Sequence, residues 1–213
     1  MKSVFTWLVS QLKEDKIVES TSEVDDCILD IVRKEGESLR VYYSTLRSFN
    51  MVDVRQILDV SNPDFILHAV KEPIIHEGVI GFMDSIHKVL GGYSELFGVI
   101  RQGNNWPYWS SETRFIMRGL EQHTKVTNIT RLDKKRYRIS RRGLDDVVIV
   151  SIDDYDLSIE SVRSAVDKYR SFDAVFKSNP NGRISTEAVQ LAASLGIKVL
   201  TWRELLGKLN LKW

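Results

Sequence analysis

The amino-acid sequence predicts an α/β protein made of two tandem αβββαβαβ units, each with a mixed sheet. Three observations support this prediction. Segments with apolar residues three and four apart, which indicate helices, alternate with short apolar runs, which indicate strands. The same order of segments recurs in the second half of the chain. The length of 213 residues gives room for two small domains.

The repeat becomes visible when the chain is shifted against itself. A shift of 109 residues places Glu95-Leu96-Phe97-Gly98 on Glu204-Leu205-Leu206-Gly207, and the two segments share the pattern Glu-Leu-x-Gly. A shift shorter by a single position places Val41 on Ile149, and one single-residue gap after Leu58 reconciles the two shifts. We therefore expect residues 1–102 and 111–213 to superpose as two copies. The stretch 103–110 has no periodicity and is the predicted linker, and its aromatic residues favour a tether packed between the copies over a flexible one.

Each copy is predicted to open with a helix, followed by two runs of alternating polarity that indicate half-buried strands. Gly36 or Gly143 then marks a turn. The third strand is more apolar, and in the second copy its continuous apolar run indicates burial on both faces. A helix, a strand and another helix follow, so a mixed sheet should carry helices on both faces. In the first copy the predicted elements are a helix at 5–14, strands at 17–24, 27–33 and 39–43, a helix at 52–60, a strand at 64–70 and a helix at 77–90. In the second copy they are a helix at 113–122, strands at 126–132, 136–141 and 147–150, a helix at 159–169, a strand at 172–177 and a helix at 185–195. Each copy ends in a closing segment, the last strand of the order, whose final turn holds the Glu-Leu-x-Gly pattern.

The end of the second copy resembles a known family. A strand at 172–177 leads into a helix with a Ser/Thr start and small residues, beginning Ile184-Ser185-Thr186-Glu187-Ala188. A Gly196-Ile197 step then enters a last strand, and a short helix with Glu204-Leu205 follows. This order is similar to the end of Mrr-like domains of the restriction-endonuclease-like superfamily. The resemblance covers about forty residues of the second copy well and the remaining chain only in element order, and it implies a duplicated nuclease-like fold.

The chemistry of that family does not carry over. The family needs an acid on the second core strand and an acid-x-Lys pair on the third, where the carboxylates hold Mg²⁺ and the lysine helps to position the attacking water. In the second copy the third strand ends in Ile149-Val150-Ser151-Ile152-Asp153-Asp154, with no lysine two residues after either acid. The first copy offers Val41-Tyr42-Tyr43-Ser44-Thr45, with no acid. Acid-x-Lys occurs only at 14–16 and 133–135, at a helix end and in a turn. We therefore predict no catalytic residue, metal ligand or cofactor.

The densest basic stretch is 131–142, with seven Lys or Arg among twelve residues. It spans a hairpin, so Lys134, Arg136 and Arg138 should share one face of a strand, with Tyr137 and Ile139 on the other. A basic ribbon of this kind can lie on a phosphate backbone. A solvated edge strand protected by charge is the alternative. The residues of this stretch predicted to bind nucleic acid are Lys134, Lys135, Arg136, Arg138, Arg141 and Arg142.

A second candidate site is the loop at 177–185, which reads Lys-Ser-Asn-Pro-Asn-Gly-Arg-Ile-Ser. Asn-Pro and Asn-Gly favour turns, and they deliver Ser185 as the N-cap of a helix. Backbone N–H groups at a helix start, beside cationic side chains, can bind phosphate. A capped loop with a solvated arginine is the alternative. The residues predicted to bind nucleic acid here are Lys177, Asn181, Arg183 and Ser185.

The remaining candidates favour structural roles. Asp153, Asp154 and Asp156 follow a buried-looking strand, where they could hold a metal ion, but a polar turn capped by Ser158 is the preferred interpretation. The four histidines show no ligand spacing. The single cysteine, Cys27, excludes an internal disulfide and should be a buried thiol. No run approaches the length of a membrane helix, so we expect a soluble, cytoplasmic protein without a membrane partner.

The formal charge of +1 argues neither for nor against nucleic acid. We predict a nucleic-acid-associated protein, binding DNA or RNA, with two degenerate nuclease-like halves that are not catalytic. A protein-interaction or structural module is the first alternative, and a large apolar patch would favour it. An active metal-dependent nuclease is the second alternative, and three converging carboxylates would favour it.

Overall fold

The computed structural model describes the backbone of residues 2–101 and 108–213 and, within these ranges, the side chains from residue 5 onward. The chain divides into two compact units, Met1–Ser110 and Ser111–Trp213, here called unit 1 and unit 2. Most of the predicted linker at 103–110 lies outside the described residues, and residues 108–110 belong to unit 1. No helix among the described residues is both long and apolar enough to cross a membrane.

Unit 1 is a mixed five-stranded sheet with helices on both faces. Its elements are α1 (Lys2–Glu14), β1 (Val18–Asp25), β2 (Ile28–Arg33), β3 (Leu39–Ser44), β4 (Ser48–Phe49), α2 (Met51–Ser61), β5 (Phe65–His68), β6 (Ile74–Ile75), α3 (Val79–Ser85), β7 (Val89–Gly91) and α4 (Tyr93–Arg101). The strand order is β1-β2-β3-β5-β7. β1, β2 and β3 form an antiparallel meander, whereas β5 and β7 add in parallel to β3. The short β4 and β6 pair separately.

Unit 2 has the same plan. Its elements are α5 (Ser111–Glu121), β8 (Val126–Arg131), β9 (Arg136–Arg141), β10 (Leu144–Ile152), α6 (Ile159–Tyr169), β11 (Ala174–Lys177), α7 (Thr186–Ser194), β12 (Lys198–Thr201) and α8 (Trp202–Lys208). The strand order is β8-β9-β10-β11-β12, antiparallel from β8 to β10 and parallel from β10 to β12. The predicted fold class, two similar units with mixed sheets, is therefore confirmed.

Apolar residues on both faces of each sheet explain the layers. In unit 1, Val41 of β3 packs in a buried cluster with Leu8 of α1 and Leu96 of α4, while Ile66 of β5 packs with α2 and α3 on the other face. In unit 2, Val150 of β10 packs with residues of α6 and α7. Burying apolar surface on both faces explains why β3, β5, β10 and β11 read as nearly continuous apolar runs.

The duplication extends to single contacts. In unit 1 the Asp64 carboxylate accepts a hydrogen bond from the backbone N–H of Arg40 at 2.8 Å, and in unit 2 Asp173 accepts one from Val148 at 2.7 Å. The β4–β6 pairing of Phe49 with Ile75 recurs as a single bridge between Leu157 and Ile184. These partners are related by the same two shifts that align the copies in the sequence.

Two details differ from the prediction. The segment expected as one helix at 77–90 is α3 followed by β7, because the chain leaves the helix at His87, which has a φ of 56° in the left-handed region. The single-position gap lies in the loop after α2 and α6 rather than after Leu58. Both helices have eleven residues, and both are followed by a residue of positive φ, Asn62 or Arg170.

Candidate functional site at the carboxyl edge of the sheets

Each unit has a cleft at the carboxyl end of its third strand. The unit 1 cleft has a volume of about 820 Å³ and the unit 2 cleft about 580 Å³. Ten lining positions coincide when the two copies are aligned, so the two clefts are equivalent places in the repeat. Their chemistry differs: Cys27 and Val60 of the unit 1 cleft correspond to Lys135 and Lys168 of the unit 2 cleft.

Glu112, at the start of α5, joins three segments at this edge of unit 2. Its Oε2 accepts a hydrogen bond from Nζ of Lys135 at 2.6 Å, and its Oε1 accepts one from Oγ of Ser178 at 2.7 Å. The glutamate therefore ties the β8–β9 turn and the loop after β11 to the first turn of α5. The predicted basic ribbon and the predicted 177–185 loop consequently meet at one edge of the sheet.

Asp133 organises the β8–β9 turn. Its Oδ1 accepts hydrogen bonds from the backbone N–H groups of Lys135 and Arg136, both at 2.9 Å, and its Oδ2 accepts one from Nε of Arg136 at 2.6 Å. The Arg136 guanidinium also lies over the Tyr169 ring, 5.6 Å from its centroid. Burial raises the pKa of Tyr169 to about 12, so the ring stays a neutral phenol. The acid-x-Lys triplet at 133–135 is thus a turn, as its position in the sequence predicted.

The third strand of unit 2 has no carboxylate from Val147 to Ile152, and its two exposed acids, Asp145 and Asp146, lie at the opposite end. Ile149 and Ser151 are buried, and Oγ of Ser151 has no hydrogen-bond partner among the described residues. In the turn that follows, Asp154 accepts a hydrogen bond from Oγ of Ser161 at 2.5 Å, and Asp156 accepts one from the backbone N–H of Arg183 at 2.8 Å. Within residues 2–101 and 108–213, no three His, Cys, Asp or Glu side chains lie close enough to hold a metal ion.

The 177–185 loop folds around its own lysine. Lys177 is buried, and its ammonium group donates to the carbonyl oxygens of Asn179 and Asn181. Gly182 has a φ of 76° and lies against the backbone of Tyr155, where a side chain would not fit. Ser185 is the N-cap of α7, as predicted, and its hydroxyl accepts from the N–H of Ala188 at 3.1 Å. The ammonium group of Lys177 is therefore enclosed in the loop, and its contact with nucleic acid stays a prediction.

Arg141, another residue predicted to bind nucleic acid, is also buried. It is buried on the inward face of β9, and its Nε and Nη2 donate to the carbonyl of Asp145 at 2.9 and 2.7 Å. Its Nη1 donates to the carbonyl of Leu211 at 2.7 Å, and the guanidinium lies under the Trp213 ring. The equivalent residue of unit 1, Arg33, is buried in the same way and donates to the carbonyl of Glu37. This arginine is a structural residue in both units.

The remaining predicted ligand residues lie closer to solvent. As predicted, Tyr137 and Ile139 of β9 are buried while Arg136 and Arg138 point to the other face, with Arg138 exposed. β9 is not an edge strand, because it pairs with β8 on one side and with β10 on the other. Outside β9, Arg142, Asn181 and Arg183 are exposed, and Lys134 is partly exposed.

The charge of the chain is divided unequally between the units. Unit 1 has 11 Lys or Arg against 16 Asp or Glu, and unit 2 has 19 against 13. The formal charges are therefore −5 and +6, although the whole chain has +1. Sequence reasoning missed this division because it considered the total charge and local basic clusters but not the summed charge of each copy. A count for each predicted copy would have found it.

Comparisons with models of protein families, with curated proteins and with solved structures find no match to this chain.

Proposed function

We propose that the protein is a nucleic-acid-associated protein built from two nuclease-like halves that lack the nuclease residues, and that unit 2 contacts the phosphate backbone. The observation that carries the proposal is the formal charge of +6 on unit 2. Positive charge gathered on one domain is the electrostatic footprint of a polyanion ligand, even where a chain is nearly neutral overall. Unit 1, at −5, would be repelled by the same ligand.

The nuclease-like part of the proposal rests on element order. Both units have the helix, three-strand meander, helix and parallel strand of the family that the sequence resembles. At the carboxyl edge of unit 2, where the family places its carboxylates and lysine, Glu112 and Asp133 hold cations of the chain itself. Because these carboxylates are already paired with Lys135 and Arg136, the edge is suited to contacting a phosphate backbone and not to holding Mg²⁺.

Three exposed arginines are the best candidates for the contact. Arg138 and Arg142 belong to the β9 hairpin, and Arg183 belongs to the loop before α7. Their exposure to solvent distinguishes them from the buried Lys177 and Arg141. We expect their contribution to be electrostatic and independent of base sequence, because phosphate contacts position a protein without reading bases.

The test is a fluorescence-anisotropy titration of the full chain with a labelled 20-base-pair duplex and with single-stranded RNA. Salt would be varied from about 50 to 200 mM, since each neutralised phosphate contributes about −0.9 to the slope of log K against log salt on duplex DNA. Arg138→Glu combined with Arg183→Glu should weaken binding on every sequence and flatten the slope. Lys13→Glu combined with Arg47→Glu changes the total charge equally but lies in unit 1, so it should leave binding intact.

Several outcomes would contradict the proposal. Absence of binding by the wild-type chain at low salt would remove it, as would equal weakening by the unit 1 control. The same samples incubated with Mg²⁺ should stay uncut. Cleavage abolished by Asp153→Ala would establish a metal-dependent nuclease instead.

A protein-interaction module is the second candidate function, and one repeated feature favours it. An exposed aromatic residue packs on a ring of the last helix in each unit: Trp7 on Tyr93 at 5.8 Å between ring centroids, and Phe115 on Trp202 at 4.9 Å. Trp7 and Phe115 are 48% and 50% exposed. Exposed aromatic residues at equivalent places are typical of contact surfaces. This candidate predicts weaker association with a protein partner in Trp7→Ser and Phe115→Ser, with nucleic-acid binding unaffected.

A further inference from the structure

We propose that the unit 1 cleft binds an organic cation, namely a guanidinium or ammonium group carried on an apolar stem. The cleft lies between the end of β3, the β1–β2 turn and α2, and it is independent of the nucleic-acid contact proposed for unit 2. Its size, its lining and the chemistry of its counterpart in unit 2 support the proposal.

The size and the apolar lining suit a small organic group. A volume of about 820 Å³ falls within the range of about 300–1,000 Å³ found for ligand sites. Phe5, Tyr42 and Tyr43 contribute aromatic surface, and Phe5 packs edge-on against Tyr43 at 5.4 Å between ring centroids. Leu46 and Val60 extend the apolar surface to the rim, where they are 42% and 75% exposed. A stem of methylene groups would bury against these side chains, and a cation would be attracted by the ring faces.

The charged part of the lining is acidic. Glu23, Asp26 and Asp53 line the cleft, and no Lys or Arg of the described chain does so. Asp53 also caps α2, where its carboxylate accepts from the backbone N–H of the N-cap residue at 3.0 Å. Burial raises the pKa of the Cys27 thiol, and the carboxylates of Asp25 and Asp26 raise it further. The field inside the cleft is therefore negative, and a phosphate or carboxylate ligand would be repelled.

The unit 2 cleft shows what complements such a lining. It also contains three carboxylates, Asp153, Asp154 and Glu160, but two lysines line it as well: Lys168, and Lys135, whose ammonium group is paired with Glu112. Those two ammonium groups occupy the positions that correspond to a cysteine and a valine in unit 1. Among the described residues, the lining of the unit 2 cleft therefore includes two lysines, of which Lys135 is already paired with Glu112, and the lining of the unit 1 cleft includes no Lys or Arg. An external cation would supply the positive charge that the lining of the unit 1 cleft lacks.

Isothermal titration calorimetry of the full chain would test the proposal, with agmatine as a free cation and a blocked Gly-Arg-Gly peptide as a basic side chain. 1-Pentanol serves as the neutral probe of similar stem length. We expect agmatine or the peptide to bind at low salt and pentanol to bind at least tenfold more weakly. Tighter binding of agmatine would indicate a small-molecule ligand, whereas tighter binding of the peptide would indicate a basic segment of a partner protein.

Three variants locate the site. Glu23→Gln combined with Asp26→Asn should weaken binding roughly tenfold, since each exposed ion pair contributes up to about a factor of five. Val60→Lys places in unit 1 the lysine that unit 2 has at 168 and should weaken binding by occupying the cleft from within the chain. Glu35→Gln combined with Asp59→Asn removes the same charge from exposed positions that do not line the cleft, and binding should change less than twofold.

Each possible result bears on the proposal. Binding of neither cationic probe, equal binding of pentanol, or equal effects of the cleft and control pairs would each overturn it. Val60 is on the surface, so Val60→Lys should fold normally and a lack of effect would count against the site.

Discussion

Replacing Arg141 by methionine should destabilise unit 2 far more than replacing its neighbour Arg142 in the same way. Arg141 is buried, and its guanidinium donates three hydrogen bonds of 2.7–2.9 Å to the carbonyls of Asp145 and Leu211. Methionine fills a similar volume but donates nothing. Arg142 follows β9 at the surface and is exposed. The pair therefore separates a buried structural cation from a surface cation at adjacent positions.

The loss of folding free energy in Arg141→Met is estimated from the two carbonyl oxygens, those of Asp145 and Leu211, that lose their donor. A carbonyl that loses its partner costs about 1–3 kcal/mol when buried, and the lower end applies here because Asp145 and Leu211 are exposed residues. The lost contact with the Trp213 ring adds about 0.5 kcal/mol. The methionine also avoids the cost of burying a charge, the effect by which burial lowers the pKa of Arg141. These losses sum to about 2.5 kcal/mol, and removing the buried charge reduces them. We therefore expect a net loss of about 1–2 kcal/mol for Arg141→Met and less than about 0.5 kcal/mol for Arg142→Met.

Hydrogen exchange followed by mass spectrometry is the appropriate assay, because the two units can unfold separately and a single melting curve would mix them. Protection of the β9, β10 and α8 amides should fall in Arg141→Met, while amides of unit 1 stay unchanged. In a thermal scan the transition of unit 2 should move down by roughly 5–15 °C, at about 4–8 °C for each kcal/mol. Equal protection in the two variants would refute the structural role assigned to Arg141.

Two further predictions concern the Glu-Leu-x-Gly segment. Glu204 accepts from the N–H and hydroxyl of Thr201, and these hydrogen bonds lower its pKa. Its contribution to stability is therefore complete above its ordinary pKa and lost as the pH falls through the lowered value. Glu204→Gln should cost about 0.5–1 kcal/mol in urea unfolding at pH 7 and nothing by about pH 2, and a difference that persists in acid would contradict this. Gly98→Ala should cost about 1–3 kcal/mol because its Cβ would collide with the Tyr108 hydroxyl, whereas Gly207→Ala, with open space around it, should stabilise α8 by about 0.5–1 kcal/mol. Equal shifts in the two urea midpoints would show that Tyr108 does not pack on Gly98.

Most of the fold could be predicted because its signals are local or repeated. Apolar periodicity placed α6 and β9 at the residues where they lie, and the repeat allowed each copy to support the interpretation of the other. The α3–β7 segment was misread because Val89 and Leu90 continue the helical spacing of Phe82 and Ile86. The left-handed backbone at His87 separates the two elements. Histidine itself does not mark such a turn, but the repeat does, because it aligns His87 with Gly196, whose φ of 72° is also left-handed.

The site was harder to predict because it depends on contacts between distant residues. Glu112 meets partners 23 and 66 residues away along the chain, and no local pattern indicates that an acid will neutralise a particular lysine. The burial of Arg141 did have a signal. Strand alternation that places Tyr137 and Ile139 inward also places Arg141 inward, and the repeat aligns it with Arg33. Including Arg141 among the residues predicted to bind nucleic acid overlooked that alternation.

What the two units share and where they differ separates structure from function. The shared residues fix the backbone. Arg33 and Arg141 donate hydrogen bonds to carbonyls, and Asp64 and Asp173 accept hydrogen bonds from the amides of β3 and β10. Glu95 and Glu204 accept hydrogen bonds from the backbone at the start of α4 and α8. The differences gather in the clefts and in net charge, which is −5 in one unit and +6 in the other. Folding alone would be served equally well by two units of similar charge, so we propose that the division reflects two different ligands. A polyanion suits unit 2 and an organic cation suits unit 1, and each assignment can fail in its own experiment without affecting the other.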